Sequence, residues 1–162
     1  MFKEALRLYP PVYLFTRFAI TEVELAGHRL PKGTLVVVCP YTLHRRPDLW
    51  PDPERFDPSR FSPEAEAARP RGAYLPFSDG PRVCIGQRFG LLEGPLILAT
   101  LLQHADFELT SSAAVELDGR SPTLRPHGGI TLRVTPLTAA GPSLTMEARA
   151  PQDHRTSRHS RP

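Results

Sequence analysis

The sequence predicts an α+β fold made of a short leading helix, a β-rich segment, a long irregular stretch, a glycine-bearing loop and a buried last helix. Three observations carry that prediction. Good helix formers fill Phe2 to Leu8 and stop at Pro10-Pro11. Alternating and β-branched residues, separated by turn signals, then occupy positions 12–40. Residues 87–104 are apolar on nearly every side, the pattern of a helix surrounded by protein.

The leading helix has no capping residue before Phe2 and reads as the interior of a longer helix. Pro10 and Pro11 end it, because proline lacks the N–H and disfavours a helical residue before it. In the β-rich segment, Val23-Glu24-Leu25 alternates, and Ala26-Gly27 and Pro31-Lys32-Gly33 are turn signals. Leu35 to Cys39 is a continuous apolar run, so burial on both faces is expected, with Cys39 packing as a small hydrophobe. Tyr41–Arg46 suits one helical turn.

From Pro47 to Pro76 no period is visible, and a stretch of that length is uncommon unless it has a task. Within the last helix, Gly94-Pro95 predicts a bend near Leu91–Pro95. Beyond it, Phe107-Glu108-Leu109, Val115-Glu116-Leu117 and Ile130 to Val134 are strand candidates. Asp118-Gly119 and His127-Gly128-Gly129 are the turns between them. Large apolar residues almost vanish after about Pro136, so residues 1–136 form the folded domain and 137–162 a tail expected to be disordered.

Composition excludes several function classes. The 162 residues, 40% hydrophobic and 23% charged, suit one soluble domain with its own core. The net charge of +3 is scattered, with no interleaved basic and aromatic stripe, so nucleic acid is not an expected partner. Cys39 and Cys84 stand far apart in unlike contexts, against a disulfide scaffold. No apolar run reaches the length of a membrane span and no signal-peptide layout is present, which leaves a cytoplasmic location as the expectation. The six histidines show no zinc spacing, and no phosphate-binding glycine loop or nucleophile elbow occurs. Glu4, Glu54 and Glu93 read as ion pairs or helix surface and not as a general acid–base pair.

The chemistry lies in Phe77-Ser78-Asp79-Gly80-Pro81-Arg82-Val83-Cys84-Ile85-Gly86. Cys84 stands just before the last helix, where unpaired N–H groups and the helix dipole favour a thiolate. Gly80 permits a sharp turn, and Gly86 lets a flat ligand approach the backbone. Phe77 can cover the sulfur, and Arg82 is a fixed cation for a carboxylate. A thiolate, a flat ligand and a carboxylate together describe haem, with cysteine on the iron and arginine on a propionate. Five such positions at set spacing have a chance on the order of one in ten million per window from average residue usage.

This pattern, F-x-x-G-x-R-x-C-x-G, resembles the haem loop of the cytochromes P450. Other segments of residues 2–135 follow that family's order. Glu4-Ala5-Leu6-Arg7 is similar to its E-x-x-R pair, and i,i+3 spacing makes the two charges neighbours on one helix face. The resemblance joins this pair to an arginine from the irregular stretch. Arg60, in Asp57-Pro58-Ser59-Arg60-Phe61, lies in the right place, although Ser59 departs from the family's usual glutamate. Arg55 matches the letters better but sits too early. The implied role of Glu4, Arg7 and Arg60 is structural: they pin the meander so that the loop presents Cys84.

The resemblance further implies iron protoporphyrin IX as cofactor and Cys84 as both metal ligand and catalytic group. Phe77, Gly80, Arg82, Gly86 and Arg17 would hold the cofactor, with Arg17 on a propionate. Val12–Phe15 and the turn near Pro122-Thr123 would line the substrate pocket. The chain would be the C-terminal portion of a mostly helical P450-type fold, beginning at the E-x-x-R helix and lacking the oxygen-activating helix with its acid-Thr pair. The expected function is a haem-thiolate monooxygenase that inserts one oxygen atom from O2 into an apolar organic substrate, with electrons from a ferredoxin or flavin reductase. The alternative is a truncated, non-catalytic remnant with at most weak haem binding.

Overall fold

A computed structural model of the chain describes residues 1–112, 115–121 and 123–137. These form two compact units. The first comprises Met1–Leu98 and Asp118–Arg125, and the second Ala99–Leu117 with the chain from Pro126 onward.

In the first unit, α1 (Phe2–Leu8) buries Leu6 and Leu8 together with the charged pair Glu4 and Arg7. The β-rich segment folds into two separate antiparallel pairs. β1 (Phe15–Phe18) pairs with β4 (Leu35–Val38) in the register Phe15↔Val38 to Phe18↔Leu35. β2 (Val23–Leu25) pairs with β3 (His28–Leu30) across the Ala26-Gly27 turn. Both turn residues have positive φ, 50° and 79°, as a two-residue primed turn requires. The expected burial of both faces of Leu35–Cys39 does not occur: Leu35 and Val37 are exposed, and only the alternate residues are half-buried. A two-stranded ribbon covers one face, and a continuous apolar run does not by itself supply cover for the other.

α2 (Pro40–Leu43) is the helical turn expected nearby, started by a proline at its first position. The stretch from 47 to 76 is not structureless. A 3₁₀ turn (Pro58–Phe61) is capped by Asp57, whose side chain accepts from the Ser59 amide. α3 (Pro63–Ala68) is capped by Ser62 in the same way, through the Ala65 amide. Asp-Pro and Ser-Pro are helix-start signals, but helices this short show no periodicity.

The core of this unit sits where the meander meets α1. Trp50 and Ala73 are buried, and the rings of Trp50, Phe61 and Tyr74 gather with centroids 4.9–6.2 Å apart. The Arg69 guanidinium lies over the Phe61 ring at 4.4 Å and the Trp50 ring at 4.6 Å. It also donates to the Arg60 carbonyl.

α4 (Gln87–His104) is one unbroken helix across Pro95. It carries no buried residue, contrary to the burial its apolar sequence predicts, and Phe89, Leu92, Leu96 and Leu102 stand more than half exposed. An all-apolar helix requires neighbours on every side, and the described residues do not provide them. No helix among the described residues is long and apolar enough to cross a membrane.

In the second unit, β5 (Ala105–Leu109) pairs antiparallel with β8 (Leu132–Pro136), placing Phe107 opposite Val134. Two-residue strands β6 (Leu117–Asp118) and β7 (Arg125–Pro126) lie between them in sequence. Of the expected tail, residues 138–162 lie outside the described residues.

Candidate functional site

The site is assembled on a buried ion pair. Glu4 and Arg7 are both fully buried, one helical turn apart on α1. Arg7 Nε donates to Glu4 Oε2 at 2.7 Å and Nη2 to Oε1 at 2.8 Å, a bidentate fork. Its remaining donors reach the carbonyls of His44 (2.8 Å), Pro53 (2.7 Å) and Arg55 (3.1 Å). All five N–H groups of the guanidinium are therefore used, which is what makes a buried charge tolerable. Glu4 Oε1 also accepts from the Asp57 amide at 2.9 Å. One pair of side chains thus holds three points of the meander, Pro53, Arg55 and Asp57, and the His44 carbonyl just before it, against α1.

Arg60 Nε lies 3.6 Å from Glu4 Oε1, an ion-pair distance but beyond a hydrogen bond, while its Nη2 donates to the Asp52 carbonyl at 3.0 Å. Arg55 is exposed and meets Arg7 only through its carbonyl. Ser59, where the family pattern has glutamate, turns to Asp57 Oδ1.

His44 is fully buried at the same junction and was not singled out by sequence reasoning. Its Nδ1 faces the Arg7 carbonyl at 3.1 Å and its Nε2 accepts from the Leu75 amide at 2.8 Å. Burial, above all, lowers its pKa from 6.5 to about 4, helped by the charges of Arg7, Arg45 and Arg69 and opposed by the bond to the Arg7 carbonyl. Nothing in its sequence spacing marks it; only its surroundings do.

Beyond Leu75 the chain enters the cysteine loop. Ser78 takes a left-handed conformation, φ 65°, and Gly80 follows at φ 72°, where glycine is at ease and serine is not. Asp79 caps the 3₁₀ turn Gly80–Arg82 through the Gly80 amide at 2.7 Å. The Cys84 amide then donates to the Phe77 carbonyl at 2.9 Å, closing the loop, and the Gln87 amide donates to the Cys84 carbonyl at 3.2 Å where α4 begins.

Phe77 does not seal the sulfur as expected: Cys84 is exposed, and the Phe77 ring lies over the bare Cα of Gly90. Gly86 leaves the other flank of the sulfur open, since a Cβ there would stand 3.8 Å from Cys84 Sγ.

Cys84 opens on a concavity of about 360 Å³ whose lining includes Val12, Phe15, Leu75, Phe77, Arg17 and Arg82. Its wall is largely apolar, and the two guanidinium groups are its cations. Arg17 Nη2 donates to Ser78 Oγ at 2.9 Å, tying β1 to the cysteine loop. Arg82 stands exposed at the rim. Val12 and Phe15 thus share one cavity with Cys84. The turn near Thr123 abuts the same segment, with the Leu124 amide on the Pro11 carbonyl (2.8 Å) and Tyr13 Oη on the Gly119 carbonyl (2.6 Å). Pro122 lies outside the described residues. A second concavity of about 340 Å³, within the second unit, is lined by Leu109, Thr110, His127 and Thr131 among others and holds none of the expected site residues.

An accessible sulfur, an open backbone beside it, apolar walls and two arginines fit one face of a flat, iron-bearing macrocycle with anionic substituents. The comparisons agree. The family model for cytochrome P450 matches residues 1–132. The chain belongs to the cytochrome P450 family. It is 47% identical over 133 residues to a probable cytochrome P450 4aa1 of Drosophila melanogaster, covering 82% of this chain and 26% of that protein. It is 50% identical over 101 residues to cyclooctatin synthase of Streptomyces melanosporofaciens, covering 62% and 22% respectively. The structure superimposes on a retinoic-acid-bound cyanobacterial P450, CYP120A1, with a TM-score of 0.77 and 38% identity, over 83% of this chain and 31% of that one. The P450 chain described here therefore spans about a quarter of the length of the curated relatives it matches. Haem is the cofactor of the family, and the α+β architecture is that of a portion of a P450 haem domain.

Proposed function

We propose that this chain is the cysteine-bearing part of a haem-thiolate monooxygenase, with Cys84 as the iron ligand and Arg17 and Arg82 as the partners of the propionates. The observation that carries this is that one cavity gathers Cys84, Arg17 and Arg82 between apolar walls. Phe77, Gly80 and Gly86 shape the loop: Phe77 through its carbonyl on the Cys84 amide, Gly80 through its positive φ, and Gly86 by leaving space at the sulfur. Glu4, Arg7 and Arg60 hold the meander from which the loop departs.

When bound, haem would supply the oxygen chemistry, with the thiolate directing electron density toward O–O cleavage. The protein's own contribution is orientation and exclusion. Val12 and Phe15 offer an apolar wall suited to an apolar organic substrate. The reaction, insertion of one oxygen atom from O2, draws two electrons from a ferredoxin or flavin reductase. These assignments of substrate and partner extend the family reading to the whole enzyme.

A second reading is favoured by the exposure of Cys84 and of most of α4: the 162 residues alone bind haem weakly and do not turn over. Titration of the chain with haemin, read by absorbance, tests both readings. A thiolate-type spectrum that Cys84→Ser abolishes supports Cys84 as ligand, and a spectrum unchanged by Cys84→Ser overturns it. Tight stoichiometric binding with substrate hydroxylation sinks the second reading.

A further inference from the structure

We infer that His44 is a positioning residue for the cysteine loop: its neutral imidazole bridges the end of α1 to Leu75 and thereby sets the turn that presents Cys84. The inference rests on the reading of Cys84 as the haem ligand and adds to it a residue in another part of the chain.

Both ring nitrogens of His44 face backbone groups of fixed polarity. The Arg7 carbonyl can only accept, so Nδ1 carries the proton. The Leu75 amide can only donate, so Nε2 presents its lone pair. The two partners select the same neutral tautomer. A protonated ring would set one N–H against another. The cations of Arg7, Arg45 and Arg69 oppose that second proton, and Tyr74, 5.2 Å away ring to ring, supplies no negative charge to favour it.

From Leu75 the bonds run into the loop. The Leu75 carbonyl accepts from the Ser78 amide at 3.3 Å, closing the turn in which Ser78 is left-handed. Ser78 Oγ holds Arg17. Phe77, between them, holds the Cys84 amide through its carbonyl. A shift of Leu75 therefore moves both the residue that anchors the sulfur and the residue that anchors a cavity arginine. On the other side, the His44 carbonyl accepts from Arg7, so this one residue is bound to α1 through both backbone and side chain.

A ring that only filled space would be replaceable by phenylalanine, which keeps the contacts with Trp50 and Tyr74. Phenylalanine would leave the Arg7 carbonyl and the Leu75 amide unpaired in the interior, and glutamine offers a donor and an acceptor on one side chain.

The test is amide hydrogen exchange on the full chain without haem, in wild type, His44→Phe and His44→Gln. The Leu75, Ser78 and Cys84 amides should exchange about ten-fold faster in His44→Phe, the effect of losing one buried hydrogen bond. The Ala5 amide of α1 and the Tyr9 amide that closes its last turn should stay near wild type, and His44→Gln should recover part of the protection. Unchanged exchange at Leu75, or equal acceleration throughout α1 and the loop, overturns it. Should His44→Phe not fold, imidazole ¹⁵N shifts of the wild type decide. A protonated Nδ1 with a bare Nε2 supports the bridge, and the opposite tautomer overturns it. None of these readouts requires haem, so a failed haemin titration and a failed bridge are separate results.

Discussion

The ring of Phe2 lies against the bare Cα of Gly94, so closely that a Cβ at position 94 would come within 2.2 Å of Phe2 Cζ. Glycine inside a helix ordinarily costs about 1 kcal/mol relative to alanine, and here the space it leaves is occupied by the first helix of the chain. Gly94→Ala should therefore destabilise the protein by about 1–2 kcal/mol, because the crowding outweighs the gain in propensity. With Phe2→Ala in the background the same change should stabilise it by roughly half to one kcal/mol. Urea unfolding of the four proteins in the cycle gives the coupling, and a coupling of zero refutes the packing.

Arg7 uses all five donors, and lysine cannot. Arg7→Lys keeps the charge but abandons the fork on Glu4 and most of the carbonyls of His44, Pro53 and Arg55. A loss of about 3–5 kcal/mol is expected, as for a broken buried ion pair. Arg60→Lys, which acts on a longer ion pair of 3.6 Å and on one carbonyl, should cost less, about 1–2 kcal/mol. Chemical denaturation that ranks the two variants equally would contradict the geometry.

Stability should fall on acidification through a window set by His44. Its pKa is 6.5 when unfolded and about 4 when folded, so between these values the unfolded chain binds the extra proton. The stabilisation is complete above about pH 6.5 and is lost as pH falls toward 4, on the order of 3 kcal/mol in all at 1.36 kcal/mol per pH unit. Melting temperature against pH should slope upward from 4 to 6.5, and His44→Gln should flatten that slope.

Haemin and its dimethyl ester should separate the role of Arg17. Arg17→Ala is expected to weaken haemin binding by about ten-fold or more, the worth of one hydrogen bond to a charged group. The ester, which lacks the carboxylates, should bind both proteins alike. Equal weakening of both ligands would instead place the effect in the loop, through the lost bond to Ser78.

Much of this was legible in the linear chain because it rests on local rules. Phe2–Leu8 is a helix for reasons of propensity and stops at the prolines. Glu4 and Arg7 are neighbours by helix spacing alone. Gly80 stands where the backbone turns sharply at positive φ, and Gly86 sits beside the Cys84 sulfur, so the loop around Cys84 announces itself. Other features were harder to see. α3 and the turn Pro58–Phe61 are too short for periodicity, and their start signals, Ser62-Pro63 and Asp57-Pro58, are shared with ordinary turns. The bareness of Gly94 is explained by a side chain 92 positions away.

The family, the candidate ligand Cys84 and the charged pair of α1 can be read from residue order, because each depends on residue type at short, fixed separations. Which groups those residues meet is settled by folding. The burial and tautomer of His44, the gathering of Arg17 and Arg82 around Cys84, and the exposure of α4 depend on segments distant in sequence being brought together or left apart. Apolarity records a side chain's tendency to leave water, and whether any surface is present to receive it is a property of the folded chain.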